Sequence, residues 1–409
     1  MVVWLFKDGE SLPVESDTRR MRMGMLAHEL ASRGHDVHWF HSTFLHLPKK
    51  LFASENKCIA LTPNYHLHLI HAGKFKRNFS IERYRFYRRY SALLSQYCET
   101  LPRPDVIVCA FPLIDVASWA VSFGKQHHIP VLIDVRDLWP DTIVDAMPRL
   151  LRPLARLLLD RDFRLTRRIF SQADSLCAMS GGVLAWALRS AKRPASVYDR
   201  VIPIGFPATF SSNNPPPESL NTILNQFADR PLFVYVGTFG HTYNIEVILS
   251  AARLLESTLG NKLHFVLAGT GPLFEAISDH AAPLTNVTLT GWLDQSAIRF
   301  LLGKASAGIL PWAGLPGAMP NKFFDYLSAG LPVISSAAGE LNDQLLERCA
   351  GQIFSAENAA SLANAVATLV DNPALRESQA AAAAAWFGQD FSESTVYRGF
   401  ADHLEQLRS

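Results

Sequence analysis

The stretch Pro320-Asn-Lys-Phe-Phe-Asp-Tyr-Leu-Ser-Ala-Gly-Leu-Pro-Val-Ile334 predicts a short helix followed by a buried strand. Pro320 suits a first helical turn, because the N–H that it lacks would have no helical partner there. Gly330 can adopt the left-handed conformation that ends a helix, and Pro332 prevents the helix from continuing. One side of the helix is apolar, formed at helical spacing by Phe323, Phe324 and Leu327.

Lys322 and Asp325 are three residues apart, so both side chains leave the same face of the first turn. One interpretation is a surface ion pair, which contributes little to stability. The other is a cation for a phosphate group beside a carboxylate for a ribose diol. The stretch alone leaves both open.

The segment from Lys322 to Val333 resembles the nucleotide-sugar motif of the family-four retaining glycosyltransferases, in the branch with Pro-x-Lys-x-x-Glu-Tyr-x-Ala-x-Gly-x-Pro-Val. The resemblance implies that Asp325, in place of the usual Glu, binds the donor ribose, with Asn321 and Lys322 beside it. Many members carry a second Glu eight residues earlier, where this chain has Gly317. The contact made by that Glu therefore has to come from elsewhere.

Composition is that of an ordinary globular protein with two or three domains: 409 residues, 48% hydrophobic and 19% charged. No apolar run approaches the roughly 18 residues that span a bilayer, and the apolar N-terminal run is too short for a secretory signal. The five cysteines are scattered without a C-x-x-C pair. This indicates reduced thiols in a cytoplasmic protein and argues against a structural zinc site.

Charge is distributed unevenly along the chain. Residues 1–205 contain 29 Lys and Arg against 19 Asp and Glu, a net charge of +10, and the remaining residues carry −8. The basic first half is therefore expected to face something anionic.

Residues 1–207 are predicted to form a first Rossmann-like domain, because apolar strands alternate with helical patterns. Its opening lacks G-x-G-x-x-G, which argues against a dinucleotide site and a dehydrogenase. Arg19, Arg20 and Arg22 cluster at the start of the first helix, where an anion is favoured, although a solvated basic turn explains them equally well. With Gly9, Arg19 and Arg22 are assigned to the acceptor or phosphate side.

Arg136 and Asp137 follow the predicted strand Val131–Val135, and chemistry in open α/β sheets lies beyond the carboxyl ends of strands. Some members of the family carry the same Arg-Asp-Leu-Trp-Pro sequence here. We expect Asp137 near the acceptor and Arg136 near the donor phosphates, both with catalytic roles alongside Lys322. The alternative is a salt bridge at the end of the strand.

Two basic amphipathic segments, Lys74–Tyr97 and Arg149–Phe170, contain most of the positive excess. Arginines beside aromatic or leucine faces suit the headgroup region of an anionic membrane. Nucleic acid is the rival partner, but no base-reading module is recognisable, so no nucleic-acid binding is expected. Helices that pack on their own sheet with solvated arginines are the structural alternative.

Residues 208–385 are predicted to form a second Rossmann-like domain, entered through a turn-rich connector at 213–217. After the strand Leu232–Val236, a glycine turn lets backbone N–H groups approach phosphates. Most members carry Arg and Lys in this loop, where this chain has Thr238 and Tyr243, so Lys322 becomes the main cation for the diphosphate. The resemblance assigns further donor contacts to Gly237, Thr238, Gly240, Gly269, Trp292 and Leu293, the last two near the base.

The resemblance implies the GT-B fold, in which two Rossmann-like domains face each other across a cleft, with residues 386–409 as a terminal helix returning to the first domain. It implies retaining transfer of a hexosyl or N-acetylhexosaminyl group from a nucleotide sugar, with UDP expected as the carrier. A lipid-linked or glycan acceptor in lipopolysaccharide or O-antigen synthesis, at the inner face of a bacterial membrane, is expected. No cofactor or metal is expected, because no D-x-D sequence stands at a strand end.

Two other functions stay open at this point. A non-hydrolysing nucleotide-sugar epimerase shares the architecture and needs no acceptor. A nucleotide-sugar-binding protein without catalysis is favoured by Gly317, Thr238 and Tyr243.

Overall fold

A computed structural model describes residues 1–14, 20–46, 49–77, 80–207, 218–314 and 320–408. The chain forms two compact units: unit 1 comprises Met1–Ile204 and Val396–Ser409, and unit 2 comprises Gly205–Thr395. Each unit is built on a mainly parallel sheet, so the prediction of two α/β units is confirmed. The connector predicted at 213–217 lies outside the described residues.

The strands of unit 1 are β1 Val2–Phe6, β2 Asp36–Ser42, β3 Phe44–Leu45, β4 Lys50–Leu51, β5 Lys57–Thr62, β6 Tyr65–Ile70, β7 Val106–Phe111, β8 Val131–Val135, β9 Ser175–Ala178 and β10 Arg200–Val201. The interior strands are rich in buried β-branched and aromatic residues, whereas β4, β5 and β10 are largely exposed. Within the described ranges, eight of the strands form one sheet in the order β10-β9-β8-β7-β1-β2-β6-β5.

The edge strand β5 pairs antiparallel with β6, whereas the other neighbours in this sheet are parallel. This hairpin is not predicted by the sequence. The side chains of β5 are exposed or half-buried, which is possible at a sheet edge but removes the strongly apolar pattern that identifies an interior strand.

Helices cover both faces of the unit 1 sheet. They are α1 Arg22–Ser32, α2 Ile81–Cys98, α3 Ile114–His127, α4 Asp141–Asp145, α5 Arg152–Leu158, α6 Asp160–Gln172 and α7 Gly181–Ala191. The predicted basic segment Arg149–Phe170 is divided into a short 3-10 turn, Arg149–Leu151, followed by α5 and α6.

Unit 2 has a second parallel sheet. Its strands are β11 Leu232–Val236, β12 His264–Ala268, β13 Val287–Gly291, β14 Ala307–Leu310, β15 Val333–Ser335 and β16 Gly351–Ile353. Their order is β13-β12-β11-β14-β15-β16. The order reverses at β11, where chain connections leave in opposite directions and ligands commonly bind.

The helices of unit 2 surround its sheet. They are α8 Glu218–Asn225, α9 Glu246–Leu259, α10 Phe274–Ala281, α11 Gln295–Lys304, α12 Asn321–Ser328, α13 Glu340–Glu347, α14 Ala359–Asp371 and α15 Pro373–Trp386. The helix and strand predicted from Pro320 to Ile334 are present as α12 and β15.

The terminal helix α16 spans Glu393–Arg408 and does not begin at Trp386 as predicted. Trp386 ends α15, and a π-helical turn, Phe387–Phe391, separates the two helices. From Val396 onward, α16 buries its apolar side in the core of unit 1. Among the helices of the described chain, none is long and apolar enough to cross a bilayer.

Candidate functional site

The loops that follow the central strands of unit 2 are hydrogen-bonded to one another at glycine positions. The Gly237 N–H donates to the Ala268 carbonyl at 2.8 Å, and the Gly269 N–H donates to the Gly291 carbonyl at 2.8 Å. Gly237 and Gly269 have φ values of 143° and 147°, which side chains rarely tolerate. A Cβ at Gly269 would also overlap the Gly237 carbonyl oxygen. The close approach of these loops at the carboxyl edge of the sheet therefore requires glycine.

Lys322 lies directly against Gly237. A Cβ on Gly237 would overlap Cε and Nζ of Lys322, so the lysine occupies the space where a side chain would stand. Lys322 is the second residue of α12, in the turn whose N–H groups have no partner within the helix. The structure thus brings together the glycine turn and the lysine that the sequence placed 85 positions apart.

Two tyrosine rings hold the Lys322 ammonium group. Its Nζ lies 3.7 Å from the ring centroid of Tyr243 and 5.4 Å from that of Tyr235, both cation–π distances. Burial lowers the pKa of Lys322 to about 8, and the charge of Asp325 only partly opposes this. Among the described residues, no carboxylate forms an ion pair with Lys322. Its charge is desolvated and not neutralised by a contact, the state that favours binding an anion.

Buried contacts fix the position of α12 on the sheet. The Tyr326 hydroxyl accepts from the Val236 N–H at 3.1 Å and donates to the Ile309 carbonyl at 3.2 Å. Phe323 and Phe324 are buried on the same side of the helix. These contacts join the helix to β11, which leads into the glycine turn, and to its neighbour β14. Lys322 therefore stands on a rigid support.

The other predicted donor contacts lie around this lysine or after neighbouring strands. Asp325 is half-buried on the same helix face, and Asn321 is exposed at the first helical position. The Thr238 carbonyl accepts from the Tyr235 hydroxyl at 2.8 Å. Trp292 follows β13 and is 72% exposed, leaving its indole face open, with Leu293 half-buried beside it. Their assignment to the nucleotide stays a prediction.

The arginines of unit 1 are placed very differently. Asp134 is fully buried and accepts from Arg22 Nη2 at 2.9 Å and from Arg136 Nε at 2.7 Å. Arg22 Nη1 donates to the Pro203 carbonyl at 2.6 Å, so both terminal nitrogens of its guanidinium group are hydrogen-bonded within the protein. Arg136 Nη1 also forms a close ion pair with Glu10.

In this cluster, buried carboxylates offset the charges of both arginines. Burial raises the pKa of Asp134, but the charges of Arg22 and Arg136 outweigh it and hold the value at about 2. Within the described chain, Arg136 Nη2 is buried and has no hydrogen-bond partner. Arg22 is therefore an internal counter-ion here, and Arg136 has one buried N–H group, at Nη2, without a partner among the described residues.

Glu10 also caps the first helix, since its carboxylate accepts from the N–H of Met23 at 2.9 Å. This carboxylate occupies the position at the start of α1 where the sequence predicted a bound anion. Gly9, with φ 81°, donates its N–H to His41 Nε2 at 2.8 Å. Arg19, assigned to the same side, lies outside the described residues.

Asp137, predicted as a catalytic residue, is exposed after β8 and accepts from the Thr142 hydroxyl at 2.8 Å. Gly317, which stands where relatives carry a Glu, lies outside the described part of the chain. The catalytic roles given to Asp137 and Arg136 stay predictions.

The contacts of Tyr243, Glu10 and Asp134 are not predicted by the sequence. In the sequence, Tyr243 stands out only as the residue that replaces a cation. Glu10 carries no local motif, since its partner Arg136 is 126 positions away. Asp134 is close in sequence only to Arg136, and its other partner, Arg22, is 112 positions away. Throughout the ranges that the structure describes, no group of three or more His, Cys, Asp or Glu side chains is placed to hold a metal ion.

Comparison with protein families matches most of the chain in two parts. Residues 218–386 match the model for glycosyl transferases group 1, and residues 22–205 match the model for glycosyltransferase family 4. Glycogen synthase from Mycobacterium tuberculosis is 28% identical over 167 residues, which are 40% of this chain and 39% of that protein. The chain thus spans about two fifths of the curated relative's length.

Solved structures are similar over nearly the whole chain. Sucrose-phosphate synthase from Thermosynechococcus elongatus has a TM-score of 0.71 at 18% identity, covering 99% of this chain and 98% of that one. Anabaena HepE, in complex with UDP, has a TM-score of 0.66 at 12% identity and covers 99% of both chains. At these identities the similarity shows a shared GT-B fold.

Proposed function

Because the chain belongs to the group 1 glycosyltransferases, we propose that it transfers a sugar from a nucleotide diphosphate sugar to an acceptor hydroxyl. One observation carries the proposal: Lys322 lies over Gly237, against the Tyr243 ring, at the carboxyl edge of the unit 2 sheet. A half-buried ammonium group without a carboxylate contact, facing a glycine turn, suits a diphosphate.

The chemistry needs stabilisation of the departing diphosphate. Lys322 supplies a positive charge whose attraction for an anion is strengthened by partial exclusion of water, and the N–H groups at the start of α12 supply further donors. Together they support transfer without a metal ion. The half-buried carboxylate of Asp325 is proposed to bind the ribose diol, by resemblance to the family motif.

UDP is proposed as the carrier nucleotide, supported by the structural similarity to the UDP complex of HepE. The exposed ring of Trp292 offers a stacking face for the base. The transferred group is proposed to be a hexosyl or N-acetylhexosaminyl group.

Transfer is proposed to retain the anomeric configuration, with attack and departure on one face of the sugar, as in the family that the motif resembles. This route needs no carboxylate nucleophile, so Gly317 does not preclude activity. Asp137, exposed after β8, is proposed to lie near the acceptor, and Arg136 to use its remaining Nη2 donor near the phosphates.

The acceptor is proposed to be a lipid-linked saccharide at the cytoplasmic face of the inner membrane, in cell-surface polysaccharide synthesis. The net charge of +10 on residues 1–205 supports a partner with anionic groups.

Titration calorimetry with UDP and GDP tests the donor site. We expect UDP to bind, and Lys322→Ala to weaken binding by tenfold or more, since a charge-assisted hydrogen bond contributes about 1.5–3 kcal/mol. Asp325→Ala should also weaken UDP binding more than the matched control does. That control is Lys262→Ala, which removes an exposed lysine of the same unit. Equal binding by Lys322→Ala and Lys262→Ala would contradict the proposal.

Product analysis separates the remaining alternatives. Incubation of labelled UDP-sugar with lipid extract should move label into the organic phase, with free UDP released. An epimerase would convert the donor without acceptor, and a protein that only binds would leave the donor unchanged.

A further inference from the structure

A ridge of leucines stands exposed on unit 1. The 3-10 turn Arg149–Leu151 and helix α5 contain no buried residue. The side chains of Leu150, Leu157 and Leu158 are 94%, 73% and 76% exposed. We call this set the leucine ridge: Leu150, Leu151, Leu154, Leu157 and Leu158. A contiguous apolar surface of this kind indicates an interaction site.

Arginines surround the leucine ridge. Residues 149–170 contain seven Arg and only two Asp. Two of these arginines reach acidic residues only at long distance: Arg152 lies 3.9 Å from Asp145, and Arg156 lies 3.8 Å from Asp141. Exposed pairs at such distances neutralise little charge. The ridge therefore carries a net positive rim.

The second basic segment lies against the same surface. Arg161, at the start of α6, donates to the Tyr84 hydroxyl on α2 at 2.8 Å. Ile81, in the first turn of α2, is 71% exposed. Further along that helix, exposed arginines extend the positive surface: Arg85, Arg88 and Arg89. The two basic segments predicted from the sequence thus form one surface in unit 1.

We propose that the leucine ridge and its arginines dock unit 1 onto the surface of an anionic lipid bilayer. A bilayer interface offers acyl chains for the leucines and phosphate groups for the arginines within about 5–10 Å of depth. Nucleic acid would satisfy the arginines but leave the leucines in water. A second copy of this chain would place the same positive rims against each other in a two-fold contact.

A cavity of about 560 Å³ adjoins the ridge, and Leu158 and Leu159 line it together with Trp139. Its inner wall includes Lys7 and Asp8, which follow strand β1 at the carboxyl edge of the sheet. A docked protein would hold the mouth of this cavity at headgroup level, within reach of a lipid-linked acceptor. That use of the cavity rests on the proposed function, whereas the docking surface does not.

Vesicle flotation tests the docking. The full chain is mixed with vesicles of phosphatidylcholine alone, or with added phosphatidylglycerol. We expect binding to the anionic vesicles only, weakened at least tenfold by Leu154→Gln with Leu157→Gln. The control, Leu254→Gln with Leu346→Gln, changes exposed leucines of unit 2 and should bind like the parent. Arg149→Gln with Arg167→Gln should remove the preference for phosphatidylglycerol.

Failure of the parent to float, or equal flotation of both leucine pairs, would overturn the proposal. A change from dimer to monomer in the Leu154/Leu157 variant, without vesicle binding by the parent, would assign the ridge to a second copy and would also overturn it. UDP affinity is measured on the same samples. Flotation without UDP binding would refute the proposed function alone, and UDP binding without flotation would refute the docking alone.

Discussion

Unit 1 and unit 2 both carry cations for which the sequence suggested phosphate binding, but they treat the charge in opposite ways. In unit 1, Arg22 and Arg136 contact the buried carboxylates of Asp134 and Glu10. In unit 2, Lys322 is half-buried and packs against tyrosine rings and a glycine. The difference teaches that the fold decides how a buried cation is treated: Arg22 and Arg136 have carboxylate partners, whereas Lys322 forms no ion pair among the described residues.

The largest expected effect is a loss of stability when the carboxylate of the unit 1 cluster is removed. Asp134→Ala leaves two buried arginines without their shared carboxylate, and breaking such a network costs about 3–5 kcal/mol. The free energy of unfolding, from urea titration, should fall by that amount. Asp137→Ala, at an exposed carboxylate just after the same strand, should change it by less than about 1 kcal/mol. If Asp134→Ala were as stable as the parent, the arginines would not depend on internal neutralisation.

The second prediction concerns the packing of the Lys322 side chain against Gly237. Gly237→Ala places a Cβ where Cε and Nζ of the lysine lie, at a φ of 143°. The free energy of UDP binding should become less favourable by about 2–3 kcal/mol, which is comparable with the loss of a charge-assisted hydrogen bond. In the control Gly240→Ala, the new Cβ meets only Thr238 Cγ2 at 3.7 Å, an ordinary contact. Similar losses of UDP affinity in the two variants would show that loop flexibility, and not the position of the Lys322 side chain, controls binding.

The third prediction separates the ring of Tyr243 from its hydroxyl group. Tyr243→Phe keeps the aromatic face below Lys322 and should bind UDP nearly as the parent does. Tyr243→Leu removes a cation–π contact of about 1–2 kcal/mol, so UDP affinity should fall about five- to thirtyfold. Calorimetry on both variants measures the difference. Equal affinities would mean that Tyr243 only fills space.

The sequence predicted much of the fold because the decisive elements have strong local signals. The helix and strand from Pro320 to Ile334 have a proline at the start, a glycine at the end and an apolar side at helical spacing. Strand β5 had no such signal, because an edge strand with half-exposed side chains resembles a loop. The start of α16 was also placed too early, since a π-helical turn continues the helical pattern past Trp386.

The candidate site could be predicted only in part, for a different physical reason. Lys322 and Gly237 belong to recognisable motifs, so their meeting followed from the resemblance. Whether an arginine is neutralised depends on which distant carboxylate the fold brings to it, and Asp134 is 112 residues from Arg22. No local pattern carries that information. The aromatic support of Lys322 by Tyr243 likewise arises from tertiary packing.

The pH dependence of UDP affinity is the most direct test of the central claim that an unneutralised Lys322 forms the donor site. Burial lowers the pKa of Lys322 to about 8, so the free protein holds this charge below that pH and loses it above. Calorimetry from pH 6 to pH 10 should show constant affinity up to about pH 8, then a fall of about tenfold per pH unit. Lys322→Ala corrects for titration of the nucleotide and should lack this fall. An identical pH profile in the parent and in Lys322→Ala would contradict the account.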